Sequence, residues 1–227
     1  MARKVLFIVN DPVATGGLLT EPFAGNGFDV ENFEVVPWSR VGAPAVDVTF
    51  PEPGGYDVVV ALGARWAAYD ATLPWVGEEI RLLRDAHTAG VAVLGVCFGS
   101  QLLAAAHGGA VSRSAAPELG WSSVDTDDSA LVPPGPWFQW HFDRWTLPSG
   151  ATEIARNAAA SQAFVVGRSL ALQFHPELDR ALLAAWIADG DERELSRRTV
   201  ELGADARDRT RQLVRGFIAR ADGQERP

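Results

Sequence analysis

Three short runs of consecutive apolar residues in the first half of the chain constrain the fold most. Residues 4–9 read KVLFIV, residues 57–62 read DVVVAL and residues 91–96 read VAVLGV. Runs of this length, rich in β-branched residues, are typical of strands that are buried on both faces of a sheet. A further strand pattern covers residues 28–36, and a helical pattern covers residues 74–88. This order predicts an α/β fold with a mainly parallel sheet and helices on both faces.

The second half of the sequence has a different pattern. After Gly109 the segments are shorter, rich in tryptophan and separated by turn residues. We expect several strands here, some of them antiparallel, at one edge of the sheet. The candidate strands are residues 121–126, 137–140, 152–157, 163–166 and 170–174.

The C-terminal part reads as helical. A helical pattern covers residues 178–187, Asp189-Gly190-Asp191 interrupts it, and two charged helical stretches end near Ala221. We therefore expect one domain over residues 1–227, with a core to about residue 189 and a helical C-terminal extension over about residues 190–221.

Composition restricts the compartment and the partners. The chain has 227 residues and a net charge of −9, which opposes binding to nucleic acid or to an anionic membrane surface. The apolar run at residues 5–9 is too short for a signal-peptide core, and no run approaches the roughly 18 to 20 residues that span a bilayer. We expect a cytoplasmic protein with no nucleic-acid or membrane partner.

The single cysteine, Cys97, directly follows the third apolar run and precedes a helical pattern. One cysteine excludes an intrachain disulfide framework and a cysteine-rich metal site. The residues around it, Gly95-Val96-Cys97-Phe98-Gly99, have the spacing of a nucleophile elbow, in which bulky side chains at the two glycines would collide with the neighbouring helix and strand. The helix N-terminus would favour a thiolate. The alternative is a buried core cysteine, but the glycine frame favours a nucleophile.

His175-Pro176-Glu177 supplies the partners that such a nucleophile needs. A residue before proline is extended, so the side chains of His175 and Glu177 lie on one face. Glu177 can then hold one imidazole nitrogen and leave the other to accept the thiol proton. The preceding strand delivers this group to a strand end, as the third run does for Cys97, and ligands of open α/β sheets bind there. The alternative, a histidine that only caps a loop, is disfavoured by its pairing with the elbow.

Two further polar residues are weaker candidates. His141 and Asp143 stand in a segment that reads as a loop between strands, where His141 could contact substrate or make a structural hydrogen bond. The spacings of histidines and carboxylates match no metal ligand set, and Gly16-Gly17 lacks the context of a phosphate loop. We expect neither a metal nor a cofactor.

Two sequence blocks resemble a known family. GVCFGSQ at residues 95–101 and QFHPE at residues 173–177 are similar to the two signature blocks of class I glutamine amidotransferase domains, most of all to stand-alone members related to the amidotransferase domain of GMP synthase. The resemblance implies a flavodoxin-like core, a γ-glutamyl thioester on Cys97 and release of ammonia. It also implies substrate binding by Gly63, Gln101, His141, Phe142 and Asp143.

One departure from the family pattern lies after the second of these apolar runs. The family usually has Gly-Gly-Pro there, whereas this sequence reads Gly63-Ala64-Arg65. By the resemblance, the backbone N–H groups of Ala64 and Phe98 form the oxyanion hole. A Cβ at Ala64 costs little if the backbone suits alanine, and roughly 1 kcal/mol or more if it needs a positive φ. Arg65 and Trp66 could also reshape the pocket for a substrate other than free glutamine.

Three functions are consistent with these residues. The first is hydrolysis of glutamine with transfer of ammonia to a synthase partner. The second is a self-sufficient hydrolase of γ-glutamyl amides, because the same Cys97, His175 and Glu177 chemistry would serve if the pocket admits a substituted amide. The third, a catalytically idle binding module, is disfavoured by the intact elbow and the His-Pro-Glu segment.

Overall fold

Nine strands, five α-helices and two short 3₁₀-helices (Trp38–Arg40 and Pro53–Gly55) form the regular structure of residues 2–187 and 193–223, the part of the chain that the computed structural model describes. The strands are β1 (Arg3–Val9), β2 (Phe28–Glu34), β3 (Val58–Ala61), β4 (Ala92–Val96), β5 (Val111–Thr126), β6 (Gly135–Trp145), β7 (Thr152–Arg156), β8 (Ser161–Val166) and β9 (Ser169–Leu172). The helices are α1 (Gly17–Gly25), α2 (Pro74–Thr88), α3 (Phe98–Ala106), α4 (Arg180–Trp186) and α5 (Arg193–Gly223). The interruption predicted at residues 189–191 lies outside the described residues.

These strands form one sheet in the order β2-β1-β3-β4-β9-β8-β7-β5-β6. The first five strands of this order are parallel, and the remaining four pair in antiparallel fashion. Because β4 and β9 are neighbours, with Val96 opposite Leu172, the chain leaves both strands at the same edge of the sheet. The predicted fold class, a mainly parallel sheet with antiparallel edge strands, is confirmed.

The apolar runs bury both of their faces, as predicted. In β1, Val5 and Phe7 pack in one cluster with α1 and α5, while Leu6 and Ile8 pack in another cluster with α2 and α3. Phe23 of α1 joins β1 to α5 within the first cluster, because its ring centre lies 5.7 Å from that of Phe7 and 6.4 Å from that of Phe217. The C-terminal helix therefore covers one face of the parallel sheet.

Several elements differ from the sequence-based expectation. Helix α1 was not anticipated, because it is short and contains Pro22. Residues 193–223 form one helix instead of two stretches. Gly203 lies inside this helix, and a glycine there costs only about 1 kcal/mol relative to alanine, which is too little to end the helix. No helix in the described ranges combines the length and the apolar character needed to cross a bilayer.

The segment of residues 141–143 was expected in a loop, and this was wrong. It lies within β6, where Trp140 pairs with Leu119 and His141 with Glu118 of β5. Strand β5 begins at Val111, ten residues before the predicted start at Trp121. The sequence did not indicate this first part, because it is polar and largely exposed and therefore lacks an apolar strand pattern. This long antiparallel pair brings β6 side chains to the carboxyl edge of β4.

Candidate active site

Cys97 occupies a strained turn between β4 and α3. Its backbone has φ 50° and ψ −108°, and among the described residues it is the one non-glycine residue with positive φ. Such a conformation costs on the order of 1–3 kcal/mol and persists where the surroundings impose it. Here the Cys97 N–H donates to the Leu172 carbonyl of the neighbouring strand β9 at 2.7 Å. The turn fixes the direction of the Cys97 side chain.

The two glycines of the predicted elbow are required by close packing. A Cβ at Gly95 would lie 2.7 Å from the Cα of Ser100 in α3. A Cβ at Gly99 would lie 2.1 Å from the carbonyl oxygen of Ala61 in β3. The collisions predicted from sequence, with a helix and with a strand, are thus confirmed.

His175 and Glu177 follow β9 at the same edge of the sheet. His175 Nδ1 lies 2.7 Å from Glu177 Oε1, so the predicted hydrogen bond is present. His175 Nε2 is buried and makes no hydrogen bond within the described chain. Burial opposes the charged form of His175, but the negative charges of Glu177 and of the Cys97 thiolate outweigh it and hold the pKa well above its usual range. The charged form of the His175 imidazole is therefore favoured in this site.

Glu177 is held from the other side by the start of α1. The Leu18 N–H donates to the Glu177 carbonyl at 2.9 Å. The preceding residue must be glycine, because Gly17 has φ +44° and a Cβ there would lie 2.2 Å from that carbonyl oxygen. The Glu177 residue is fully buried. The unanticipated helix α1 therefore fixes the residue that orients His175.

The loop after β3 approaches Cys97 and is braced by two polar residues at the end of β1. The Leu62 carbonyl accepts hydrogen bonds from the Gly99 N–H at 3.1 Å and from Asn10 Nδ2 at 3.2 Å. Asp11 holds Arg65 through Nε at 2.6 Å and Nη2 at 2.9 Å. These contacts fix both ends of residues 62–65.

The backbone of this loop tolerates the departure from the family pattern. Ala64 does not have a positive φ, so its Cβ causes no backbone strain. Gly63 has less room, because a Cβ there would lie 3.3 Å from His175 Cε1. Among the hydrogen bonds of the described residues, none uses the N–H of Ala64 or of Phe98, and both residues flank Cys97. Both N–H groups are thus unpaired within the described part of the chain.

Two cavities meet at Cys97. The first, here called the His175 cavity, has a volume of about 130 Å³ and includes His175, Ala14 and Trp186. The second, called the Asp143 cavity, has a volume of about 200 Å³ and includes Gln101, Phe98 and Asp143. Cys97, Ala64, Arg65 and Trp140 line both. A ligand bonded to Cys97 could extend in two directions.

The residues predicted to bind substrate divide between these cavities. Gln101, His141, Phe142 and Asp143 line the Asp143 cavity, whereas Gly63 lines the His175 cavity. The His141 ring is held in place, because Nε2 lies 3.1 Å from Glu118 Oε2 and Nδ1 lies 3.2 Å from the Asp143 carbonyl oxygen. His141 therefore makes structural contacts while its ring forms part of the cavity wall.

Arg113 of β5 was missed by the sequence analysis. It lines the Asp143 cavity, with its guanidinium 3.9 Å from the Asp143 carboxylate and 4.8 Å from the centre of the Phe142 ring. The first part of β5 gave no strand signal, so the pairing of Arg113 with Asp143 could not be anticipated. The Arg113 side chain is 67% exposed and its contact with Asp143 is long, which leaves its charge accessible to a ligand.

Asp11 was also missed, although the sequence held a signal for it. It follows the first buried strand and is almost fully buried at the carboxyl edge of the sheet. Polar residues in that position are frequent ligand contacts in parallel sheets. The same reasoning that selected Cys97 and His175 would have selected Asp11.

The sequence is similar to several known proteins. The family model for class I glutamine amidotransferases matches residues 56–183. The chain is 32% identical over 113 residues to a GMP synthase [glutamine-hydrolyzing] of Aeropyrum pernix, which covers 44% of this chain and 22% of that protein. It is 31% identical over 169 residues to a gamma-glutamyl-L-1-hydroxyisopropylamide hydrolase of a Pseudomonas species, which covers 66% of this chain and 55% of that protein. The chain thus spans between about a fifth and about half of the length of these curated relatives.

Solved structures share the fold. A glutamine amido transferase from Methylobacillus flagellatus superposes with a TM-score of 0.85 at 23% identity, covering 100% of this chain and 97% of that chain. A glutamine amidotransferase from Thermotoga maritima gives a TM-score of 0.82 at 24% identity, covering 96% of this chain and 99% of that chain. Because the family model matches more than half of the sequence and this fold accompanies it, the chain belongs to the class I glutamine amidotransferase family.

Proposed function

We propose that the chain hydrolyses the side-chain amide of glutamine through a γ-glutamyl thioester on Cys97. The observation that carries this proposal is the free Nε2 of His175, buried in a cavity that Cys97 also lines, with Nδ1 held by Glu177. A base that is oriented in this way can take the thiol proton and later return it to a leaving nitrogen.

The steps follow from the positions of the groups. The thiolate attacks the amide carbon, and the N–H groups of Ala64 and Phe98 stabilise the oxyanion. The carbon–nitrogen bond then breaks as the His175 imidazolium protonates the leaving nitrogen, which departs as ammonia. Water, deprotonated by His175, attacks the thioester and releases glutamate. The N-terminus of α3, which begins at Phe98, also favours the negative charge that develops on the oxyanion.

The charges of the Asp143 cavity fit the amino-acid end of glutamine. Arg113 and Asp143, which lie 3.9 Å apart, carry opposite charges at this cavity, which suits an α-carboxylate and an α-ammonium group. Tyr69 donates to Asp143 Oδ1 at 3.2 Å and fixes that carboxylate. With the amino-acid end in the Asp143 cavity, the side-chain amide reaches Cys97 and its nitrogen faces His175.

The fate of the nitrogen distinguishes two candidate functions. In the first, ammonia passes to an acceptor on a synthase partner. The relatives named GMP synthase [glutamine-hydrolyzing] support this function, because their name joins glutamine hydrolysis to a synthase activity. In the second, the chain is a self-sufficient hydrolase of γ-glutamyl amides. The Pseudomonas γ-glutamyl amide hydrolase supports the second, because its match extends over 66% of this chain.

Replacement of the proposed nucleophile tests the function. We expect Cys97→Ser to reduce the release of glutamate and ammonia from glutamine by at least about 10²-fold, because an alkoxide is much harder to form than a thiolate at neutral pH. Urea denaturation of the same variant serves as the control for folding. Retention of more than a tenth of wild-type turnover would exclude Cys97 as the nucleophile.

A further inference from the structure

The two cavities at Cys97 differ in whether a side chain that can protonate a leaving group lines them. His175, with its free buried Nε2, lines the His175 cavity. His141 lines only the Asp143 cavity, and its ring is held by the Glu118 carboxylate, 3.1 Å from Nε2, and by the Asp143 carbonyl, 3.2 Å from Nδ1. The leaving nitrogen must lie beside a proton donor, so any substituent on that nitrogen would extend into the His175 cavity.

The far wall of the His175 cavity is aromatic and fixed. The Trp186 ring packs against His175 with the ring centres 4.8 Å apart, and against Trp140 with the centres 6.2 Å apart. Trp186 Nε1 donates to the Val13 carbonyl at 2.8 Å, which sets the orientation of the indole. The buried Ala14, next in the chain, completes this wall. Such a wall offers contact area to an alkyl group at little entropic cost.

The volume of this cavity exceeds what ammonia needs. It measures about 130 Å³, whereas one water molecule, similar in size to ammonia, takes about 30 Å³ of liquid and an apolar cavity of about 150 Å³ holds benzene. The space therefore fits a substituent of about three to six non-hydrogen atoms.

The charged residues of this cavity neutralise one another. Arg65 and Asp11 are joined by two hydrogen bonds of 2.6 Å and 2.9 Å, and the bond to Asp11 raises the pKa of Arg65. In the Asp143 cavity, by contrast, Arg113 and Asp143 are 3.9 Å apart and remain available to a ligand. A closed ion pair beside an aromatic wall favours an uncharged substituent over a charged one.

From these four features we infer that the His175 cavity is a leaving-group subsite and that the chain acts on γ-glutamyl amides whose nitrogen carries a small uncharged alkyl group. The inference rests on the proposed function of Cys97. In the reaction, the bond from Sγ to the γ-carbon forms, the carbon–nitrogen bond breaks, and the His175 Nε2 proton moves to the departing alkylamine. Water then replaces sulfur on that carbon and returns the proton to His175.

Substrate preference tests the inference directly. We expect kcat/KM for γ-glutamyl ethylamide and γ-glutamyl isopropylamide to exceed that for glutamine by at least about tenfold, because alkyl contacts of one or two carbons are worth that much. The γ-glutamyl amide of 3-aminopropanoate, which carries a carboxylate, should be slower than the uncharged propylamide of similar length. A preference for glutamine over both alkylamides, or for the carboxylate over the propylamide, would overturn the inference.

Two variants with a matched control locate the subsite. Ala14→Leu should fill the His175 cavity and lower the ratio of kcat/KM for isopropylamide to that for glutamine by at least tenfold. Trp186→Phe should enlarge the cavity and shift the preference towards larger amines such as benzylamide. Ala67→Leu, in the Asp143 cavity, should affect both substrates together and keep the ratio within twofold. If the ratio responds to Ala67→Leu and to neither of the others, the substituent does not lie in the His175 cavity.

Failure of the inference can be separated from failure of the proposed function. A glutamine analogue with a diazoketone in place of the amide alkylates a glutamine-directed nucleophile, and mass spectrometry detects the adduct. Labelling of Cys97 without faster cleavage of alkylamides would overturn the leaving-group subsite and leave the nucleophile in place. Absence of both labelling and cleavage of any γ-glutamyl amide would overturn the proposed function and, with it, the inference.

Discussion

At the residue scale, the site depends on one backbone conformation and one hydrogen bond. Cys97 is held at φ 50°, and His175 is oriented by Glu177 at 2.7 Å. The sequence could predict both features, because each is signalled by at most five consecutive residues. Gly95 and Gly99 on either side of Cys97 indicate the turn, and the proline between His175 and Glu177 indicates that their side chains lie on one face.

The proposed roles of His175 and Glu177 predict different losses on substitution. His175→Ala removes the group that moves the proton and should lower kcat by roughly 10³-fold or more, in the upper part of the range for general acid–base catalysis. Glu177→Gln keeps a side chain of the same shape beside Nδ1 and should cost about 10- to 10²-fold less than His175→Ala, because the acid that orients a triad histidine contributes less than the histidine itself. Steady-state kinetics with glutamine would measure both, and equal losses would mean that Glu177 does more than orient the imidazole.

The loop after β3 predicts a contrast between adjacent residues. Because Ala64 lacks a positive φ, Ala64→Gly should change kcat by less than about threefold. Gly63→Ala should be more harmful, since its Cβ would lie 3.3 Å from His175 Cε1. Kinetics on the two variants compares them. A gain of more than tenfold in Ala64→Gly would indicate that the alanine misplaces an oxyanion donor, whose full loss costs about 10² to 10³-fold.

At the element scale, sequence analysis succeeded where a strand or helix has one strong signal and failed where tertiary pairing decides. The buried strands β1, β3 and β4 carry continuous apolar runs and were all anticipated. The first part of β5 is polar and exposed, and only its pairing with β6 makes it a strand. For this reason Arg113 and the strand position of residues 141–143 could not be anticipated.

Helix α5 contains two glycines that should respond oppositely to alanine. A Cβ at Gly216 would lie 2.3 Å from the backbone carbonyl oxygen of Ala130, so Gly216→Ala should lower the free energy of unfolding by roughly 1–3 kcal/mol. At Gly203 a Cβ meets nothing within 4 Å, and Gly203→Ala should raise that free energy by about 0.4–1 kcal/mol. Urea denaturation followed by circular dichroism would measure both. Equal effects would indicate that α5 does not pack on the turn that contains Ala130.

At the scale of the whole molecule, one face of the sheet buries an ionisable carboxyl group. The face covered by α2 and α3 contains Glu79, a fully buried carboxyl group of α2 that accepts a hydrogen bond from Asn10 at 3.2 Å. Burial raises the pKa of Glu79 to about 8, with the Asn10 hydrogen bond opposing this only partly. The carboxyl group thus stays protonated in the folded protein at neutral pH and supports the residue that braces the Leu62 carbonyl.

This raised pKa predicts a pH dependence of global stability. The unfolded chain loses the Glu79 proton near the ordinary glutamate pKa of 4.5 and the folded chain near 8, so the free energy of unfolding should fall as pH rises between these values. Glu79→Gln, which cannot ionise, should be more stable than wild type at pH 9 by on the order of a few kcal/mol and similar to it at pH 4.5. Glu78→Gln, at an exposed neighbouring position, is the control in urea denaturation at the two pH values. A Glu79→Gln effect that is the same at both would contradict the buried neutral carboxyl.

The ion pair between Arg3 and Asp222 has a practical consequence. Two hydrogen bonds, of 2.7 Å and 3.1 Å, join the first residue of β1 to the penultimate residue of α5. Arg3 stands at the amino edge of the parallel strands, and Cys97 stands at the carboxyl edge. A seven-residue strand, the length of β1, spans roughly 23 Å. An affinity handle or a surface linker attached near Arg3 or Asp222 would therefore leave both cavities at Cys97 open to substrate.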